Sequence, residues 1–322
     1  MNRITVAGAG AFGTALAVTL ARVGHDVTLW ARNADHAAAI ARSRENAARL
    51  PGVEIPPNVT VSAETGSFPE AEAVLLSVPM QALYDFLDTH AALLGRAPLV
   101  ACCKGVSLRT GTGPTAILAA RCPNAPAAIL TGPSFAADIA RRLPTALTLA
   151  CKDPEAGERL QQILSTPTLR LYRSTDTAGA ELGGALKNVI AIAAGIVIGA
   201  GLGDSARAAL MTRGFAEMRR FATAAGAREE TLAGLSGLGD LVLTCTSEQS
   251  RNFRHGRALG SDLSSETGVT VEGVATAQAV ARLAKERGID MPITVMVARV
   301  VTGKLAVAEA VATLMTRPLK EE

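Results

Sequence analysis

Residues 3 to 30 constrain the fold of this chain more than any other stretch. The β-branched run Arg3-Ile-Thr-Val-Ala7 leads directly into Gly8-Ala-Gly-Ala-Phe-Gly13, which opens a helix-forming segment, Thr14–Val23. After a turn at Gly24-His25, a second strand pattern covers Asp26–Trp30. A GxGxxG string alone is usually just a turn. Set between a strand and a helix, with another strand to follow, it is the fingerprint of a dinucleotide-binding βαβ unit. Gly8 permits the tight turn, Gly10 lets the backbone approach a pyrophosphate, and Gly13 lets helix and strand pack closely. The helix N-terminus then offers unbonded N–H groups and a partial positive charge to the phosphates.

The residues after the second strand bear on which dinucleotide is bound. A carboxylate there would hold the 2′-hydroxyl of the adenosine ribose, but the chain reads Trp30-Ala-Arg-Asn33, with no acidic residue before Asp35. Arg32 can instead pair with a 2′-phosphate and stack on adenine. Its plainer reading is a solvated surface arginine. The expected cofactor is NADP or NAD, with NADPH favoured.

At 322 residues the chain is sized for two domains of ~150 residues each. Its first half alternates. Strand-like runs at Ile4–Val6, Val27–Trp30, Val59–Val61, Val74–Val78, Leu99–Cys102, Ala128–Leu130, Thr145–Ala150 and Leu169–Tyr172 are separated by longer segments. Several of these are helix formers: Gly13–Val23, Ala34–Arg49, Gln81–Leu94 and Pro154–Leu164, with a loop marked by Pro51, Pro56 and Pro57. Such alternation implies crossover connections and a parallel sheet covered on both faces. Beyond Asp176 strand patterns nearly vanish. Helix patterns follow at Glu181–Ile198, Ala206–Gly226, Glu229–Gly234, Thr276–Arg287, Ile293–Thr302 and Ala306–Leu314. The expected fold class is α/β: an N-terminal Rossmann domain, doubly wound around a mostly parallel sheet, over residues 1–177, then an all-α C-terminal domain over 178–322. The tail Lys320–Glu322 is expected to fray.

Composition excludes other classes. Apolar residues at 48% and charged residues at 19% exclude disorder. A net charge of +3, with seven Phe, two Tyr and one Trp, supplies neither the basic field nor the stacking rings of a single-strand binder, so no nucleic-acid partner is expected. Five cysteines without CxxC spacing and four scattered histidines without HExxH point to a reduced, metal-free protein. A strand beginning at residue 3 leaves no room for a signal peptide. The longest apolar run, Val189–Gly203, holds four glycines and falls short of the roughly 20 residues of a membrane span, so it reads as a buried helix and the loop after it. A cytoplasmic protein without stable membrane insertion is the expectation, and a homodimer is one assembly open to it.

Several strings together resemble one family. They are Gly8-Ala-Gly-Ala-Phe-Gly-Thr-Ala-Leu-Ala17, Ser77-Val-Pro79, Lys104-Gly105, Gly132-Pro-Ser-Phe-Ala136, Leu182-Gly-Gly-Ala-Leu-Lys-Asn188, Gly237-Leu-Gly-Asp-Leu-Val-Leu-Thr-Cys-Thr246 and Ser250-Arg-Asn252. Spread over nearly the whole chain, they resemble the bacterial-type NAD(P)-dependent glycerol-3-phosphate dehydrogenases. That resemblance implies a Rossmann domain, a helical substrate and catalytic domain, and an active site in the cleft between them. It also implies interconversion of sn-glycerol 3-phosphate and dihydroxyacetone phosphate, a phosphorylated triose, for glycerophospholipid synthesis. Residue by residue, it puts Ala11 and Phe12 against the cofactor in the glycine turn, beside Gly8, Gly10 and Gly13, and Arg32 at the adenosine end. Lys104 would touch cofactor and substrate, Gly132 and Ser134 the substrate, and Ala136 the cofactor. Lys187 matches the proton acceptor. Asp240, Ser250, Arg251 and Asn252 would frame the substrate, with Arg251 also reaching the cofactor, as would Glu272 and Val271. The chain departs from the pattern at Cys102-Cys103, where small or hydroxyl residues are expected, a pair open to oxidation.

The chemistry asks for such residues. Hydride transfer at a carbinol carbon needs a group that exchanges a proton with its oxygen near neutrality. A lysine does so only where burial or a neighbouring cation keeps its amine uncharged. Lys187 stands at the head of an apolar segment, Leu186, Val189, Ile190, Ile192, Ile196 and Val197, which reads as a buried helix. Without the resemblance, the plain reading is a lysine snorkelling to solvent. Asn188, about 100° round the helix from Lys187, is given no role. Asp240 can orient Lys187, accept a substrate hydroxyl, or cap a helix. Arg251 and Asn252 offer a planar fork and an amide donor to a phosphate. Two alternatives stay open: another Rossmann-plus-helical dehydrogenase acting on a hydroxy acid or phosphogluconate, and a nicotinamide-binding sensor without turnover.

Overall fold

The structure, a computed structural model, describes residues 1–261, 263 and 271–316, so the tail Lys320–Glu322 lies outside the described residues. It divides into two compact units, Met1–Lys104 with Thr112–Glu181, and Gly105–Gly111 with Leu182–Glu322.

The first unit carries ten strands: β1 (Arg3–Ala7), β2 (Asp26–Trp30), β3 (Glu45–Asn46), β4 (Leu50–Glu54), β5 (Val59–Ser62), β6 (Ala73–Leu76), β7 (Leu99–Ala101), β8 (Ala127–Thr131), β9 (Thr145–Cys151) and β10 (Leu169–Ser174). Its helices are α1 (Ala11–Ala21), α2 (Ala34–Ser43), α3 (Leu83–His90), α4 (Pro114–Arg121), α5 (Ala136–Ala140) and α6 (Pro154–Leu164). Eight strands form one sheet in the order β10-β9-β8-β7-β6-β1-β2-β5, every pair parallel except β8 with β9. The order runs outward from β1 to β5 on one side and from β6 on the other. The strand sequence therefore reverses between β1 and β6, the switch point where ligands bind in open α/β sheets. Both faces are buried, as the alternation along β6 proves: Ala73 and Leu75 join one apolar cluster, Val74 and Leu76 another.

One part of this unit departs from the sequence reading. The helix expected to run to Arg49 stops at Ser43, because Arg44 turns left-handed with φ 52°. Its guanidinium is held by the carbonyls of Ile55 at 3.2 Å and Val59 at 3.1 Å, and by that of Pro56. The residues that follow, β3 and β4, pair as an antiparallel hairpin in place of helix and loop.

The second unit is helical: α7 (Thr177–Gly199), whose first residues Thr177–Glu181 belong to the first unit, then α8 (Gly203–Ala224), α9 (Glu229–Ala233), α10 (Asp240–Thr246), α11 (Arg251–Gly260), α12 (Glu272–Arg287), α13 (Pro292–Val301) and α14 (Val307–Met315). At 23 residues α7 is longer than its apolar run suggested, and Lys187 lies near its middle, not at its head. It is the one helix among the described residues long and apolar enough to cross a membrane, and it is mostly buried. Its glycines serve packing. A Cβ on Gly195 would overlap the Phe253 carbonyl and one on Gly199 the Arg257 carbonyl; across the contact, Gly256 and Gly260 face the carbonyls of Ile192 and Ile196. Four glycines at i, i+4 spacing thus bring α7 and α11 backbone to backbone. Gly183 plays the same part against Ser236, in the wide helical turn Leu235–Gly239 that leads into α10.

Candidate active site

The cofactor turn stands at the switch point. Gly8 has φ +121°, and a Cβ there would overlap the Ser77 carbonyl just after β6; one on Gly13 would overlap the Gly8 carbonyl and meet Ser77 Cβ at 3.0 Å. These two glycines are required by the fold. Gly10 is different, because a Cβ on it would meet nothing within 4 Å. Gly10 is also the N-cap of α1, where no side chain caps the helix and no acidic residue occupies the first turn. Open space above uncapped N–H groups is what a pyrophosphate needs, so the residues present fit a dinucleotide. Ala11 begins α1, and Phe12 and Ala136 pack against one apolar cluster. Arg32 is exposed next to Asn33, whose side chain caps α2 by accepting from the His36 N–H at 2.7 Å.

Three of the expected substrate residues meet beyond the ends of β7 and β8. Lys104 Nζ donates to the Gly132 carbonyl at 3.0 Å, and Ser134 Oγ donates to the same oxygen at 3.3 Å. Gly132 has φ +137°, a conformation that suits only glycine. Cys102 and Cys103 are buried, and burial pushes the Cys102 thiol up to about 12 against the pull of the nearby Lys104 charge. Burial and a protonated thiol both lower the reactivity of Cys102 toward oxidants. Among the described residues, no group of three or more His, Cys, Asp or Glu could hold a metal.

In the second unit Lys187 is 6% exposed and Asp240 1%. Lys187 Nζ lies 3.0 Å from Asp240 Oδ1 and donates to Thr244 Oγ1 at 2.7 Å, while Thr244 Oγ1 donates to Asp240 Oδ1 at 3.2 Å. Gly239, not Asp240, occupies the N-cap of α10, and the Asp240 carboxylate faces Lys187 and Thr244. An uncharged amine is the expectation from the sequence. The ion pair instead favours the ammonium, whose burial in an apolar helix the carboxylate compensates. An ammonium is the form that donates a proton. Thr244 escaped the sequence reading although it sits at i+4 from Asp240, on the same helical face.

The remaining residues are placed more plainly. Ser250 is buried and caps α11, its hydroxyl accepting from the Phe253 N–H at 3.2 Å. Asn252 Nδ2 donates to Asn188 Oδ1 at 2.9 Å, and its Oδ1 accepts from the Gly273 N–H at 3.0 Å. Asn188, given no role from the sequence, thus steadies an expected substrate residue. Val271 is the N-cap of α12 and Glu272 its first residue. Among the described residues no hydrogen bond or ion pair engages Arg32 or Arg251, and both are exposed.

Comparison with known proteins bears on the whole chain. The profile of the NAD-dependent glycerol-3-phosphate dehydrogenase N-terminus matches residues 3–157, and that of the C-terminus residues 176–312. A glycerol-3-phosphate dehydrogenase (NAD(P)+) of Cereibacter sphaeroides is 63% identical over 319 residues, 99% of this chain and 100% of the relative. The corresponding protein of Paracoccus denitrificans is 61% identical, with 99% of each chain covered. A crystal structure of glycerol-3-phosphate dehydrogenase from Coxiella burnetii superposes with a TM-score of 0.94 at 36% identity, covering 98% of this chain and 99% of that one.

Proposed function

The chain belongs to the NAD-dependent glycerol-3-phosphate dehydrogenase family, and from that premise we propose how its residues divide the work. It is an NAD(P)-dependent oxidoreductase that interconverts sn-glycerol 3-phosphate and dihydroxyacetone phosphate, a step toward glycerophospholipids. When bound, the reduced nicotinamide supplies a hydride to C2 of the ketone.

Lys187 hands its proton to the C2 oxygen as negative charge grows there, and recovers a proton from solvent afterwards. Asp240 keeps the ammonium charged before transfer, and Thr244 fixes the direction of its Nζ. In oxidation the ammonium first gives a proton to solvent, and the amine so formed takes the proton from the C2 hydroxyl. Lys104, Gly132 and Ser134 in the first unit, and Ser250, Arg251 and Asn252 with Asp240 in the second, are the proposed substrate residues. The guanidinium of Arg251 suits the phosphate. Gly8, Gly10, Ala11, Phe12, Gly13, Arg32, Lys104, Ala136, Arg251, Val271 and Glu272 are the proposed cofactor residues, with NADPH favoured through Arg32. We place the enzyme in the cytoplasm, without stable membrane insertion or a nucleic-acid partner, with a homodimer as one assembly open to it.

The buried Lys187–Asp240 pair carries this assignment of roles. Its test is NADPH consumption with dihydroxyacetone phosphate, repeated with NADH. Lys187→Ala is expected to abolish turnover while NADPH still binds, and a near-normal kcat in that variant would remove Lys187 from the mechanism.

A further inference from the structure

The β3–β4 hairpin holds none of the residues assigned above, yet it reaches into the glycine turn. Asn46, on β3, is 1% exposed and its side-chain amide is fully engaged. Nδ2 donates to the Ala9 carbonyl at 3.0 Å and to Thr14 Oγ1 at 2.8 Å. Oδ1 lies 3.1 Å from His36 Nε2. The Ala9 carbonyl can only accept, which identifies the amide nitrogen and makes His36 Nε2 the donor to Oδ1.

This geometry has a directional consequence. The Ala9 carbonyl and the Gly10 N–H are the two ends of one trans peptide and point opposite ways. Holding the carbonyl toward the hairpin therefore aims the Gly10 N–H away from it. Thr14 lies one turn into α1, where its N–H bonds to the Gly10 carbonyl at 2.9 Å, so one amide ties the turn to its helix. Preceded by Gly8 and ending in Gly10, the Ala9–Gly10 peptide has little intrinsic stiffness, and ordering it on binding would cost affinity.

We infer that Asn46, steadied by His36, is a positioning residue that preorganises the glycine turn for the dinucleotide. The inference rests on the reading that this turn takes the dinucleotide. Asn46→Asp keeps the volume but sets an acceptor against the Ala9 carbonyl; Thr14→Val removes only the link to α1. NADPH affinity of the full chain is measured by energy transfer from Trp30, its single tryptophan. Amide exchange over residues 8–14 is measured without dinucleotide.

Asn46→Asp is expected to raise the NADPH Kd and KM about tenfold or more, with dihydroxyacetone phosphate KM held within about twofold, and to speed amide exchange in the turn. Thr14→Val is expected to raise the Kd about threefold. A folded Asn46→Asp with wild-type Kd and exchange overturns the inference. If that variant does not fold, an unchanged Kd in Thr14→Val overturns it instead. Failure of the wild-type chain to bind NADPH would strike the reading of the turn itself, a result separable from either variant's.

Discussion

At the scale of single residues, the three glycines of the turn answer to different demands. Gly8 and Gly13 are fixed by backbone they would otherwise strike, and Gly10 only by what must come close to it. Gly10→Ala is therefore expected to keep the melting temperature within a degree or two, yet weaken NADPH binding about tenfold or more, whereas Gly8→Ala should lower the melting temperature itself. Calorimetry alongside a binding titration separates the two. Thr244→Val removes one hydrogen bond from Lys187 and should cost about tenfold in kcat with NADPH KM unchanged, measured at saturating substrate. The glycines were legible as a short motif between strand and helix, whereas Lys187 stood out only through the resemblance, since an isolated charge in an apolar run otherwise reads as a snorkelling lysine. Thr244 and Asn46 were not legible. Asn46 lies in what reads as the helix Ala34–Arg49, and Thr244 in a stretch where no helix was expected, so the face each shares with its partner could not be inferred.

At the scale of elements, all eight strands of the main sheet were legible: the inner strands leave short apolar runs, and the edge strand β10 alternates buried Leu169 and Leu171 with exposed Arg170 and Tyr172. Among the missed elements several have weak signals: β3 has two residues, α10 seven, and α11 is a polar helix joined to α7 through glycines. That contact yields a prediction. Gly256→Ala would drive a Cβ into the Ile192 carbonyl, and the expected loss is about 1–3 kcal/mol, read from denaturant midpoints. A second concerns α4, whose N-terminus has no capping side chain of its own. Glu181 supplies one by accepting from the Thr115 N–H, and a Cβ on Gly113 would collide with that carboxylate. Burial pushes Glu181 up to about 7, partly opposed by the Thr115 bonds and the Lys152 charge. With the folded value above the unfolded one, stability from this group is complete in acid and lost as pH rises through about 7. Glu181→Gln should thus gain on the wild type between about pH 5 and pH 8, by up to ~3 kcal/mol, visible as a melting temperature that falls less with pH.

At the scale of the molecule, the change from alternating to helical texture near Asp176 was legible, but the course of the chain between units was not. Gly105–Gly111 is numbered within the first half and packs with the second unit. Val106 is buried in the second unit's apolar cluster, Arg282 Nη2 donates to the Leu108 carbonyl at 3.4 Å, and a Cβ on Gly111 would press on Leu283 at 3.1 Å. Seven residues are too few to announce such an excursion by composition. They also govern how relatives of this enzyme can be recombined. A hybrid gene joined at Leu182 inherits its helical half from one parent and this inserted peptide from the other. Such hybrids should melt lower than ones in which Gly105–Gly111 travels with residues 182–322, and equal melting would show the seven residues to be interchangeable. Breeding this enzyme by crossover thus takes three junctions rather than one.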